Sequence, residues 1–104
     1  MGKTLVPADE KALQEFPELF FNAFEIYQTR SASFSDRLKD LIAASRFGDK
    51  VRSSRLASRT FLAILNNPER LSDTLGLMKD SKFLGRYLPE FRAIQALARR
   101  DFYH

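Results

Sequence analysis

A chain of 104 residues with 44% apolar and 12% aromatic side chains carries too much oily surface for a disordered chain and too little length for two independent cores. Its zero cysteines exclude a disulfide framework, a thiolate metal site and a cysteine nucleophile, which fits a cytoplasmic protein best. The net charge of +4 is concentrated in one stretch, where Arg46, Lys50, Arg52, Arg55 and Arg59 stand against Asp49 alone, and such a stretch raises an anionic partner.

No apolar leader precedes Asp9, Glu10 and Lys11, and nowhere do eighteen apolar residues run together, so neither a signal peptide nor a membrane span is expected. Met1-Gly2 is not followed by the Ser or Thr that myristoylation needs at the sixth position, where Val6 stands. Each of the four prolines falls where a helix can begin, because proline at the first helical position loses no hydrogen bond. After Pro7 a short polar helix is expected from Ala8 to about Glu15. Pro17 then starts or kinks a second helix, with Phe16, Phe20, Phe24 and Tyr27, and Ala23 between them, along one core-facing stripe.

Ser31 to Ser35 breaks the pattern, and Ser33 with Asp36 three positions on reads as a capping box for a third helix. That helix turns Leu38, Leu41, Ile42 and Ser45 to one face, and Gly48 suits its left-handed closing position. The next helix is expected to carry Leu56, Thr60, Phe61, Ile64 and Leu65 inward and to end at Asn66. Asn67-Pro68 signals the start of another, burying Leu71, Leu75 and Met78, with Gly76 costing ~1 kcal/mol against alanine inside it. Ser81 to Leu88 reads as too short and irregular for a helix, and Pro89 as the opening of a last one with Phe91, Ile94, Leu97 and Ala98 on its inner face. No stretch alternates apolar and polar residues, so no strand is assigned. The expected fold is all-α, a single compact domain of five or six helices spanning residues 1–104.

Catalytic and metal-binding patterns are missing from the sequence. His104 is the one histidine and cannot build a zinc site or triad without partners, while Gly48, Gly76 and Gly85 are isolated and form no phosphate loop. Asp36 and Asp40 stand one helical turn apart, as a capping residue and a surface charge rather than a metal pair. No catalytic, cofactor-binding or metal-ligating residue is therefore assigned. Arg52, Arg55 and Arg59 are spaced to form one helical stripe, a candidate surface for phosphate or nucleic acid, but no exposed aromatics are interleaved to stack bases. Nucleic-acid binding by a free-standing basic module is thus the alternative reading.

The stretch Leu84-Gly85-Arg86-Tyr87-Leu88-Pro89-Glu90-Phe91 resembles the bifunctional protein-PII uridylyltransferase/uridylyl-removing enzymes of bacterial nitrogen regulation. Phe61-Leu62-Ala63-Ile64-Leu65, Pro68, Leu75 and Met78 upstream, and Ile94, Asp101, Tyr103 and His104 downstream, are similar to that family in spacing, and Pro17-Glu18-Leu19-Phe20 more loosely. Arg92, Ala93 and Leu97-Ala98-Arg99-Arg100 depart from the family pattern. Helical regions of the related glutamine synthetase adenylyltransferases are more distantly similar.

The resemblance implies a helical connector between a nucleotidyltransferase domain, which transfers UMP from UTP to PII with magnesium, and an HD-type hydrolase domain that removes it. It further implies a fragment that stops just before the HD domain, has no cofactor of its own, and has the two neighbouring domains and PII itself as partners. Within the octapeptide, Gly85 is expected to permit an unusual turn. Arg86 and Glu90 are expected to be available for a salt bridge, and Gly85, Arg86, Tyr87 and Glu90 are the candidate interdomain contacts.

Overall fold

A computed structural model describes residues 3–87, so the helix expected from Pro89 lies outside the described residues. Within them the fold is mostly α, with seven helices and two very short strands. Asp9 starts the first helix, α1 (Glu10–Glu15), by accepting the amide of Ala12 on its carboxylate at 3.0 Å. Phe16 and Pro17 end it, and a 3₁₀ turn at Pro17–Leu19 leads into α2 (Phe20–Arg30). Phe20, Phe21, Ala23 and Phe24 of α2 are buried. Phe16 does not join their stripe: it stays 37% exposed on the far side of the proline break, with Lys50 Nζ 5.1 Å from its ring.

Ser31 closes α2 in the left-handed region, at φ 56°, and the chain pairs β2 (Ser33–Phe34) in parallel with β1 (Thr4–Leu5). Two residues per strand are too few to show an alternating pattern, which is why the sequence carries no sign of them. This pairing also moves the helix cap. The Ser33 amide donates to the Lys3 carbonyl at 2.9 Å, and Ser35 instead caps α3 (Asp36–Ala44), its hydroxyl accepting the amide of Leu38 at 3.1 Å. Arg37 of α3 grips Glu10 of α1 through two guanidinium nitrogens at 2.6 and 3.0 Å. That hydrogen-bonded ion pair holds the Glu10 carboxyl below its ordinary value and raises the Arg37 guanidinium.

α3 ends at Ser45 in extended geometry, and Gly48 takes no left-handed conformation. A short helix follows, α4 (Asp49–Arg52), and then the longest of the described helices, α5 (Arg55–Asn66), started by Ser54, whose hydroxyl accepts the amide of Ala57 at 3.2 Å. α5 buries Ala57, Thr60, Phe61 and Ile64. Leu56 and Leu65, expected inward, are instead 42% and 39% exposed. α5 meets α2 through Phe61 beside Phe21, Thr60 beside Asn22 and the Ile64 carbonyl beside Gln28, and that contact sets the inward direction rather than the larger leucines at 56 and 65.

Asn67-Pro68 starts a turn, not a helix: the Asn67 side chain accepts the amide of Glu69 at 3.0 Å, and α6 (Leu71–Asp80) begins three residues later. Arg70 precedes it at φ 51° and lays its guanidinium 4.6 Å from the centre of the Tyr27 ring. Lys82, at φ 62°, then makes the sharp corner that the sequence suggested for Gly85. Directly after it runs α7 (Phe83–Tyr87), a helix where none was expected, with Gly85 in regular helical geometry.

The core gathers around α7. The Phe83 ring lies 6.1, 4.9 and 5.0 Å from the rings of Phe20, Phe21 and Phe24 and 4.8 Å from Phe47, mostly edge to face, an arrangement that adds to simple burial. Met78, Ile42, Ile64 and Leu84 belong to the same cluster. None of the described helices is long and apolar enough to cross a membrane.

Phe83→Ala is expected to cost ~3–5 kcal/mol of unfolding free energy in urea titrations, the usual loss when a fully buried ring leaves a cavity. Gly76→Ala works in the opposite direction. A Cβ there meets nothing within 4 Å, so the substitution is expected to raise the urea midpoint by the equivalent of about 1 kcal/mol.

Candidate functional site

The octapeptide begins inside α7, and of its described residues Leu84 and Tyr87 are buried in the core while Arg86 reaches the end of α3. An α-helix leaves its last carbonyls without partners, and α3 carries no basic residue in its last turn to answer them. Arg86 reaches across instead. Its Nη1 donates to the carbonyls of Ile42 at 2.9 Å and Ser45 at 2.8 Å and to the Ser45 hydroxyl at 3.0 Å, while Nη2 donates to the Ala43 carbonyl at 2.8 Å. A cation at this terminus also faces the negative end of the helix dipole. The planar fork of arginine serves several acceptors at once, which a lysine ammonium does less well.

Tyr87 is buried, its ring 4.6 Å from Phe21 and 5.7 Å from Phe61, with its hydroxyl 3.5 Å from that of Ser58. Arg86 and Tyr87 are thus engaged within the chain, and Gly85 is the exposed member of the group. Glu90, the fourth candidate and the expected salt-bridge partner of Arg86, lies outside the described residues.

A second helix end is served in the same way. Gln28 is 1% exposed, and its Nε2 donates to the carbonyls of Ile64 and Asn67, both at 3.0 Å, at the C-terminus of α5. Sequence reasoning passed over this residue. Its signal was present, because a glutamine in phase with Phe21 and Phe24 on a core-facing stripe has to find polar partners inside.

The basic candidates do not share one stripe. Arg52 ends α4, where its Nη2 donates to the Arg86 carbonyl at 3.2 Å, and the helix cap at Ser54 separates it from Arg55 and Arg59. The single-helix geometry assumed for the three arginines fails because Ser53 and Ser54 interrupt it. Arg55 and Arg59 remain together on the outer face of α5, both exposed, and neither belongs to a recorded ion pair of the described residues.

Beside the end of α3 lies an open cavity of about 260 Å³, lined by Gln14, Phe20, Leu41, Ala44, Ser45 and Arg46. Among the described residues no three His, Cys, Asp or Glu side chains come together in a way that could hold a metal ion.

This arrangement, a helical body whose last described helix is clamped to its own third helix, can be set beside known families. Residues 1–87 match the family model described as uridylyltransferase GlnD third domain. The chain belongs to that family. The match to the GlnD third domain ends at Tyr87, inside the octapeptide, and takes in the first half of the chain, where the sequence resemblance was loosest.

Among curated relatives, the chain is 31% identical over 100 residues to a bifunctional uridylyltransferase/uridylyl-removing enzyme of Burkholderia vietnamiensis, covering 92% of this chain and 12% of that protein. Enzymes of the same description from Acinetobacter baumannii and Ralstonia nicotianae are each 32% identical, over 98 and 101 residues, covering 90% and 93% of this chain and 11% and 12% of theirs. The chain therefore spans about an eighth of the length of the curated relatives it matches. No solved structure matches it.

Within this GlnD third domain, Arg86→Met is expected to lower stability by about 2 kcal/mol, since it leaves several carbonyls of α3 without a charged donor. Arg86→Lys should recover part of the loss by keeping the charge. Both changes are read from the midpoint of the same urea titration.

Proposed function

We propose that this chain is a non-catalytic helical connector within a cytoplasmic bifunctional uridylyltransferase/uridylyl-removing enzyme, one that transfers UMP from UTP to the nitrogen-regulatory protein PII and removes it again. The observation that carries the reading is the family match over residues 1–87, combined with relatives of which the chain covers about an eighth. UTP and magnesium, in this reading, are handled by other domains of the enzyme. The partners of the connector are its neighbouring transferase and hydrolase domains in the same polypeptide, and PII when it docks.

The mechanical contribution of the chain is one of position. Arg86 on the carbonyls of α3, with Phe83, Leu84 and Tyr87 in the core, holds α7 at a fixed orientation to the rest of the bundle. A domain continuing from α7 inherits that orientation, and catalytic groups misplaced by as little as about 1 Å lose much of their rate.

A domain exchange tests this. Residues of this chain replace the matching 100-residue stretch of the Burkholderia vietnamiensis enzyme, and UMP transfer to PII and its removal are both assayed. Retention of both activities is expected, with a drop in both when the exchanged segment carries Arg86→Met. The 104-residue chain assayed alone with UTP, magnesium and PII should show neither activity. Transfer catalysed by the chain alone would overturn the connector reading, as would a folded exchange enzyme that has lost both reactions.

A further inference from the structure

We infer that the outer half of α5 is a docking surface for an acidic amphipathic helix of a protein partner. α5 is buried only along Ala57, Thr60, Phe61 and Ile64, and every other position of the helix is exposed. At 100° per residue the exposed half places Leu56 and Leu65 at its two margins, with Leu62 and the two arginines, Arg55 and Arg59, between them. Leu56, Leu62 and Leu65 are 42%, 57% and 39% exposed.

The remaining exposed positions of α5 are small or uncharged, and the helix contains no acid at all. An ordinary solvated face looks different. On α3 the exposed Asp36, Arg37, Lys39 and Asp40 mix both signs and include no leucine.

Charge also sits against local preference on this helix. Arg55 occupies the first turn of α5, the positive end of the helix dipole, where acidic residues are favoured and none is present. A sequence that breaks a local rule without an internal compensation points to a requirement outside the fold. Leu62 and Leu65, neighbours on the helix surface, with Arg55 and Arg59 alongside and no acid, are complementary to a helix that offers apolar residues at i, i+3, i+4 and i+7 flanked by carboxylates.

Nucleic acid fits the surface less well. Base recognition on a basic face relies on exposed rings, and the nearby rings of Phe61 and Tyr87 are only 9% and 7% exposed.

The test uses a fluorescent synthetic helical peptide with leucines on one face and glutamates along both flanks, titrated with the 104-residue chain by anisotropy. A twin peptide with glutamine in place of every glutamate, and a single-stranded DNA oligonucleotide, serve as the other arms. The glutamate peptide is expected to bind at least about tenfold more tightly than its glutamine twin at low salt. Both the Arg55→Glu/Arg59→Glu double variant and Leu62→Asp should abolish that preference or the binding itself, whereas Lys39→Glu on α3 should leave both unchanged. All substituted side chains are exposed, and circular dichroism checks that each variant keeps its helix content. The inference is overturned by no binding of the glutamate peptide, by equal binding of the twins, by insensitivity to the α5 variants, or by tighter binding of the oligonucleotide through the same arginines.

Discussion

Phe83 is the residue on which the packing of the other helices converges. Its ring contacts three phenylalanines of α2 and Phe47 of the segment between α3 and α4, so a five-residue helix ties together elements more than thirty positions away. A helix of five residues has no independent stability, because nucleation costs more than so few hydrogen bonds return. α7 therefore exists by virtue of its burial, and α2, in turn, would leave its aromatic face uncovered without it. The dependence is mutual.

The polar side of the fold follows the same logic of distant partners. Two helices, α3 and α5, end without a basic side chain of their own in the last turn, and each receives donors from elsewhere, Arg86 in one case and Gln28 in the other. A helix end served by a neighbour cannot slide or fray without breaking tertiary contacts. The same bonds that satisfy backbone carbonyls thus fix how the helices are placed relative to each other. The curated members of this family are about eight times the length of this chain, and the connector role proposed above calls for helices fixed in this way.

What could be seen in the sequence was what depends on near neighbours. The core residues of α3 and most of those in α5 follow from periodicity, and Phe20 and Phe24 declare the inner face of α2. Local signals failed where a nearby competitor took the same group. Ser33 spends its amide on the carbonyl of Lys3, just ahead of β1, so the cap passes to Ser35, and Asn67 turns its side chain onto Glu69 instead of starting α6. The corner before α7 was hidden because Lys82, not a glycine, adopts the left-handed conformation. Reading Gly85 as a turn made α7 invisible and left Arg86 free for an outside partner. Its bonds to α3, more than forty residues back, have no periodic trace at all. The basic residues were legible as a cluster but not as a surface, since the break at Ser53 and Ser54 decides which of them share a helix.

The parallel pairing of Thr4–Leu5 with Ser33–Phe34 is small in energy but has a geometric consequence. It brings the first described residues to the N-terminal end of α3, where Ser35 donates its amide to Leu5, while the Arg86 clamp brings the last described helix to the C-terminal end. The two extremities are thus held at opposite poles of one nine-residue rod, about 13 Å long at 1.5 Å per residue. α3 thus works as a gauge block: β1 and α7 stand apart by a length written in the number of its turns.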